Sequence, residues 1–295
     1  MTKLHRKRFS LPTGVELDVT LGGPDDAPAI FFLHGFPESA RTWRYQLADL
    51  AADYRVIAPD QRGFARSSKP EGVENYTHDK PVGDLLALAD ILGIETFTLV
   101  GHDWGGAVAW AAALGHPDRI TRLAIVNAPH PFIFQKSVFD DPVQRKASQY
   151  IRAFRVPGME DYFNTKPDAL FDNAFGTSGL GPEASDEERE IYFDEWKQPG
   201  AMVAMLNWYR ASALIVPAMD ETPERPAYLA APFPVLQTPT LVIWGMGDTA
   251  LTPSQLEGLE DVVADLTIVK VEDAGHFVTW EKPEAVTSAL RAFLR

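Results

Sequence analysis

The chain contains no cysteine. Disulfide frameworks, thiolate metal sites, iron–sulfur clusters and cysteine nucleophiles are therefore excluded. A long apolar run is also missing. The longest nearly uninterrupted one, Gly105 to Gly115, falls well short of the roughly 20 residues that span a bilayer. Met1 to Ser10 is polar and basic with no apolar stretch behind it, so no secretory signal is expected and the chain reads as soluble and cytoplasmic. On that footing the glycosylation-like Asn75-Tyr76-Thr77 is a coincidence. Positive charge is scarce: 27 Lys and Arg stand against 41 Asp and Glu, a net charge of −14. Such a chain has no general attraction to phosphate backbones or anionic lipids, so neither nucleic acid nor membrane is an expected partner. The one basic cluster, His5 to Arg8, reads as a solvated strand edge.

What is present is globular in proportion, with 45% hydrophobic and 23% charged residues over 295 positions. That length suits one large domain or two. Ala29 to Leu33 and Tyr54 to Ala58 are short apolar runs of the kind buried parallel strands show. Asp79 to Leu92 has helical apolar spacing and stops at Gly93. A strand over Thr96 to Val100, a helix from about Gly105 to His116 and a strand over Ile120 to Val126 follow. This alternation predicts an α/β fold with a parallel sheet covered by helices on both faces. From about 131 to 234 strands disappear, and helical segments take over at Gln144 to Phe154, Asp186 to Trp196 and Ala201 to Ala213. Strands resume at Thr240 to Trp244 and Leu266 to Val271, and a helix from about Pro283 to Leu294 ends the chain. The organisation expected is a core of residues 1–130 and 235–295 interrupted by a helical insertion over 131–234.

Gly101-His102-Asp103-Trp104-Gly105-Gly106 lies where a strand ends and a helix begins. Small residues there allow the sharp turn of a nucleophile elbow, which would hold Asp103 up and exposed. The alternative is that Asp103 merely N-caps the helix. The rest of a catalytic set follows in the order nucleophile, acid, base. Gly245-Met246-Gly247-Asp248 presents Asp248 after one strand, and Ala274-Gly275-His276 presents His276 after the next. Both are carboxyl ends of strands, where open α/β sheets bind ligands. An oxyanion hole would combine the backbone N–H groups of Trp104 and of Phe36, in the loop His34-Gly35-Phe36-Pro37. Asp273 reads as structural, and His34, His102 and His130 as buried hydrogen-bonding residues rather than catalysts. A carboxylate is ionised near neutral pH and can open a strained ring or displace a halide, giving an ester that a His-activated water cleaves.

Through these segments and Asp60-Gln61-Arg62-Gly63, the chain resembles the α/β-hydrolase superfamily from about Leu21 to its end. An elbow Asp followed by Trp is similar to epoxide hydrolases and haloalkane dehalogenases, with haloacetate dehalogenases as neighbours. The resemblance implies the α/β-hydrolase fold: a mostly parallel central sheet flanked by helices, with a helical cap inserted after the sixth strand. Epoxide hydrolases carry two cap tyrosines that hold and protonate the epoxide oxygen. Asn207-Trp208-Tyr209-Arg210 resembles one of their motifs, and Tyr150-Ile151-Arg152-Ala153-Phe154-Arg155-Val156-Pro157-Gly158 the other, with Arg155 where Gln is commoner. Aromatic packing of a cap is the other explanation for both tyrosines. The Arg after the nucleophile that haloacetate dehalogenases carry is Trp104 here, and the Asn of the haloalkane halide site is Phe36. The expectation is a cofactor-independent epoxide hydrolase acting on a small apolar epoxide, as monomer or homodimer. A dehalogenase with the same triad and a noncatalytic ligand-binding module on this fold are the alternatives.

Overall fold

In the computed structural model residues 3–176 and 184–295 are described; the expected insertion's residues 177–183 and the N-terminal residues 1 and 2 lie outside them. Eight strands form one sheet: β1 His5–Ser10, β2 Glu16–Gly22, β3 Ala29–Leu33, β4 Arg55–Pro59, β5 Phe97–His102, β6 Ile120–Val126, β7 Thr240–Gly245 and β8 Leu266–Val271. Their order is β1-β2-β4-β3-β5-β6-β7-β8. β1 and β2 pair antiparallel, as do β2 and β4, and every later pair is parallel.

Successive strand side chains point to opposite faces, so a strand buried on both sides must be apolar throughout. β3 shows this: Ile30 and Phe32 belong to one core and Phe31 and Leu33 to the other. Helices α1 (Arg44–Leu50) and α12 (Pro283–Leu294) cover the first face through Leu47, Leu50, Val286 and Leu290. Helices α2 (Asp79–Ile91) and α3 (Trp104–Gly115) cover the second through Leu85, Leu88, Val108 and Ala112. β1 is the exposed edge that the His5 to Arg8 cluster predicts. β2 was not among the strands expected, although Leu17, Val19 and Leu21 alternate with polar residues as in a half-buried strand, and Leu17 and Val19 are buried.

Between β6 and β7 the described residues form helices and no named strand: α4 Pro131–Asp140, α5 Pro142–Ala147, α6 Gln149–Phe154, α7 Met159–Thr165, α8 Pro167–Phe175, α9 Asp186–Trp196 and α10 Ala201–Ala211. The single helical stretch expected over Gln144 to Phe154 is divided at Ser148. The reason is tertiary. Gln144 is fully buried, and its side-chain amide donates to Ser148 Oγ and Ala250 O while its Oε1 accepts from Thr252 N, at 2.9 Å each. α11 (Val278–Glu281) is a single turn preceding α12. Among the described residues no helix is long and apolar enough to cross a membrane.

Candidate active site

Asp103 occupies the turn from β5 to α3 with φ 51° and ψ −121°, a region that a non-glycine residue enters at a cost. Glycine on either side makes the turn possible. A Cβ at Gly105 would lie 2.2 Å from the Leu33 carbonyl oxygen, and one at Gly101 would lie 2.4 Å from the Gly105 carbonyl oxygen. The Asp103 side chain makes no capping hydrogen bond to α3. Instead its Oδ1 accepts the Phe36 N–H at 2.8 Å. Asp103 thus stands at the N-cap position of α3, with its carbonyl accepting the Ala107 N–H, but its side chain does not cap the helix. Phe36 supplies one donor to this carboxylate; the Trp104 N–H, at the first position of α3, is among those without an intrahelical acceptor.

His276 lies beyond β8, with Nδ1 2.7 Å from Asp248 Oδ2 and Nε2 3.6 Å from Asp103 Oδ2. Asp248 is buried and fully engaged. Its Oδ1 accepts from Ala250 N at 2.9 Å and Leu251 N at 2.8 Å, and Oδ2 accepts from Asn127 Nδ2 at 2.8 Å. Burial alone would pull the His276 pKa down, but Asp248 and Asp103 on its two sides outweigh it and raise the pKa well above the ordinary histidine value. Burial likewise pushes against ionised Asp103, yet His276, His102 and the Phe36 N–H hold its pKa below the usual carboxylate value. Both shifts favour the charged pair, a protonated His276 facing an ionised Asp103.

Above Asp103 lies a cavity of about 390 Å³ whose walls include Asp103, His276, Tyr150 and Tyr209. Phe36, Phe154, Leu170, Ala174 and Phe277 make most of the lining apolar, with Asn173 and Thr249 as polar exceptions. Tyr150 comes from α6 and Tyr209 from α10, their rings 6.1 Å apart and nearly perpendicular. Tyr209 packs edge-on between Phe36 at 5.2 Å and Trp104 at 5.1 Å. Burial, reinforced by the negative charge of Asp103, pushes both phenol pKa values well above 10, so both stay protonated.

The other histidines are more varied than the sequence reading. His34 Nδ1–H donates to the Gly35 carbonyl and Nε2 accepts the Gln61 N–H, both at 2.9 Å, and burial pushes its pKa to about 4. His102 Nε2–H donates to the His276 carbonyl at 2.9 Å, and its Nδ1 faces Glu38 at 3.3 Å. His130 is a correction. It is buried, but neither ring nitrogen has a hydrogen-bond partner among the described residues; it packs edge-on against Trp110 at 5.0 Å. Asp273 is exposed.

Two contributors, Asn127 and Arg155, carry roles that the sequence did not assign them. Asn127, at φ 39° after β6, bridges Gly245 N–H and Asp248; an Asn tolerating positive φ directly after a buried strand was the available hint. Arg155 donates through Nε to the Tyr209 carbonyl at 2.8 Å. Among the described residues no group of three metal-binding side chains is arranged to hold an ion.

The α/β-hydrolase-fold family model matches residues 28–283. An α/β-hydrolase superfamily protein of Bacillus subtilis, YfhM, is 35% identical, over 98% of this chain and 97% of its own. Epoxide hydrolase A of Mycobacterium tuberculosis is 33% identical, over 95% of this chain and 94% of its own. A solved epoxide hydrolase of the α/β-hydrolase superfamily, from hot-environment metagenomes, superposes with a TM-score of 0.85 at 47% identity, covering 99% of both chains. With the elbow, the sheet order and these likenesses together, the chain belongs to the α/β-hydrolase superfamily and, within it, to the epoxide hydrolase family.

Proposed function

We propose that this enzyme converts a small, largely apolar epoxide and water to a vicinal diol through an ester on Asp103. The observation that carries the proposal is the pair of protonated phenols, half-buried Tyr150 and buried Tyr209, sharing one cavity with the Asp103 carboxylate. Residues 131–234 act as a cap that supplies both phenols, over a core of residues 1–130 and 235–295.

Asp103 attacks a ring carbon, the C–O bond breaks, and one phenol gives its proton to the departing oxygen. A free alkoxide is far more basic than a phenolate, so this transfer is downhill. Esterification also removes the Asp103 charge. The influence left to raise His276 is then Asp248 against burial, so the imidazolium becomes a better acid and its proton returns to the phenolate. Neutral His276 deprotonates a water that attacks the Asp103 carbonyl carbon, while the Phe36 and Trp104 N–H groups hold the developing oxyanion. Asp248 fixes the ring through Nδ1. The intermediate collapses, the departing alkoxide takes the proton from His276 to complete the diol, and the carboxylic acid left at Asp103 passes its proton to the now neutral His276, restoring the resting ion pair. Protons and charges balance over the cycle.

Dehalogenation through the same ester is the competing reaction. Halide departure needs N–H donors, whereas the cavity presents phenols. A panel of aryl and aliphatic epoxides, haloalkanes and haloacetates separates the two: diol from epoxides without halide release is expected. Halide release without epoxide turnover would establish the dehalogenase instead.

A further inference from the structure

The two tyrosine helices are tied together by arginines that cross between them. On one side of α6, Gln149 Nε2 donates to the Pro217 carbonyl at 2.9 Å and Arg152 Nη1 to the Val216 carbonyl at 2.8 Å. Arg155, one turn further, is the C-cap of α6. Its Nε reaches the Tyr209 carbonyl at 2.8 Å, and Nη2 reaches the Ser212 and Leu214 carbonyls at 3.1 and 2.8 Å. Tyr150 and Phe154, on the same helix, line the cavity instead. The Tyr209 carbonyl is one of the last four of α10, which lack intrahelical donors, and the guanidinium sits at the negative end of that helix. Arg155 makes no ion pair among the described residues, so its contacts there are to carbonyls alone. The tie is reciprocal: Arg210, next to Tyr209, pairs with Glu160 and donates to the Val156 carbonyl at 3.3 Å.

We propose that Arg155 is a positioning residue for ring opening, fixing the Tyr209 end of α10 relative to Tyr150 so that both phenols converge on one oxygen. The proposal rests on the reading of these tyrosines as proton donors. Two donors aimed at a single atom tolerate little relative displacement, because a misplacement of about 1 Å can cost 100-fold in rate. Once the His276 proton has returned to the phenolate, the water attack on the Asp103 ester uses neither phenol, so loss of the tie should weigh on ester formation far more than on ester hydrolysis.

The test is rapid-quench measurement of ester formation and ester hydrolysis with styrene oxide, in the full-length protein. Arg155→Met should slow ester formation roughly 10- to 100-fold and leave ester hydrolysis close to wild type. In a Tyr209→Phe background the same change should cost much less, since the phenol it places is gone. Arg155→Lys keeps the charge, but one ammonium cannot span the three carbonyls, so an intermediate slowing is expected; this variant carries the test if Arg155→Met does not fold. Unchanged ester formation in the variant that folds, equal slowing of both half-reactions, or a full effect in the Tyr209→Phe background would overturn the proposal. If Tyr209→Phe and Tyr150→Phe themselves leave ester formation unchanged, it is the donor reading that fails.

Discussion

His276 stands between two carboxylates, and its basicity depends on how many of them are charged. Replacing Asp103 by Asn removes one charge and imitates the ester. The His276 pKa, followed by NMR of the ring protons, should fall in Asp103→Asn relative to wild type, because the influence lost is a raising one. An unchanged or higher value would mean that the Asp103 charge does not reach the ring, and the timing proposed for the proton transfers would be lost with it. The phenols permit an equally direct test. Tyr→Phe at position 150 or 209 removes one hydroxyl and keeps the packing, including the edge-on contact between the two rings. Loss of a charge-assisted bond of about 1.5–3 kcal/mol implies ring opening roughly 10- to 150-fold slower, with a nearly inactive double variant. Stopped-flow or rapid-quench traces showing full-speed ester formation in the double variant would remove the tyrosines from the chemistry.

At the scale of elements, the site is a meeting of loop ends held too close for side chains. A Cβ on Gly35 would fall 2.3 Å from both Cβ and Oδ1 of Asp103. Gly35→Ala should therefore displace the loop that carries the Phe36 N–H and lower kcat roughly 100-fold or more, as loss of an oxyanion donor does. Circular dichroism and thermal unfolding would show whether the fold is kept; near-normal turnover in a folded variant would mean the loop has slack that the contacts do not show. The elbow, the acid turn and the His loop were legible in sequence because each couples small residues to a strand end, and such turns leave local signatures. Asn127 and Arg155 were not. Both act by hydrogen bonds to groups distant in sequence, Gly245 and Asp248 for one, Tyr209 to Leu214 for the other, and nothing local requires them. β2 was missed although its own pattern, Leu17, Val19 and Leu21 alternating with polar residues, is that of a half-buried strand.

At the scale of the molecule, the helices between β6 and β7 meet the sheet along a seam of mixed polarity. Arg41 grips Glu188 through two hydrogen bonds of 2.9 and 2.7 Å, and Trp196 Nε1 donates to the Pro37 carbonyl at 2.7 Å. Beside them Ser39 Oγ donates to Glu195 at 3.1 Å. Burial, then the negative charge of Asp60, pushes the Glu195 pKa to about 8, although Ser39, Arg6 and Arg41 favour its ionised form. A carboxyl whose pKa is raised on folding keeps its proton in the folded state while the unfolded chain releases it from about 4.5 upward, so this group lowers stability as pH rises across that interval. Glu195→Gln, of the same shape without the charge, should gain thermal stability over wild type progressively from pH 4.5 to 8 and hold a constant advantage above. A pH-independent difference in Tm would contradict the shift. The account as a whole depends on one bond, the ester between Asp103 and substrate. Single turnover of excess enzyme with an epoxide in oxygen-18 water reads it directly by mass spectrometry. Water attacks the ester at the Asp103 carbonyl carbon, so the heavy atom should appear in the peptide containing Asp103 and be absent from the first diol released. Label in that first diol, with none in Asp103, would show water attacking the epoxide itself and contradict the covalent mechanism.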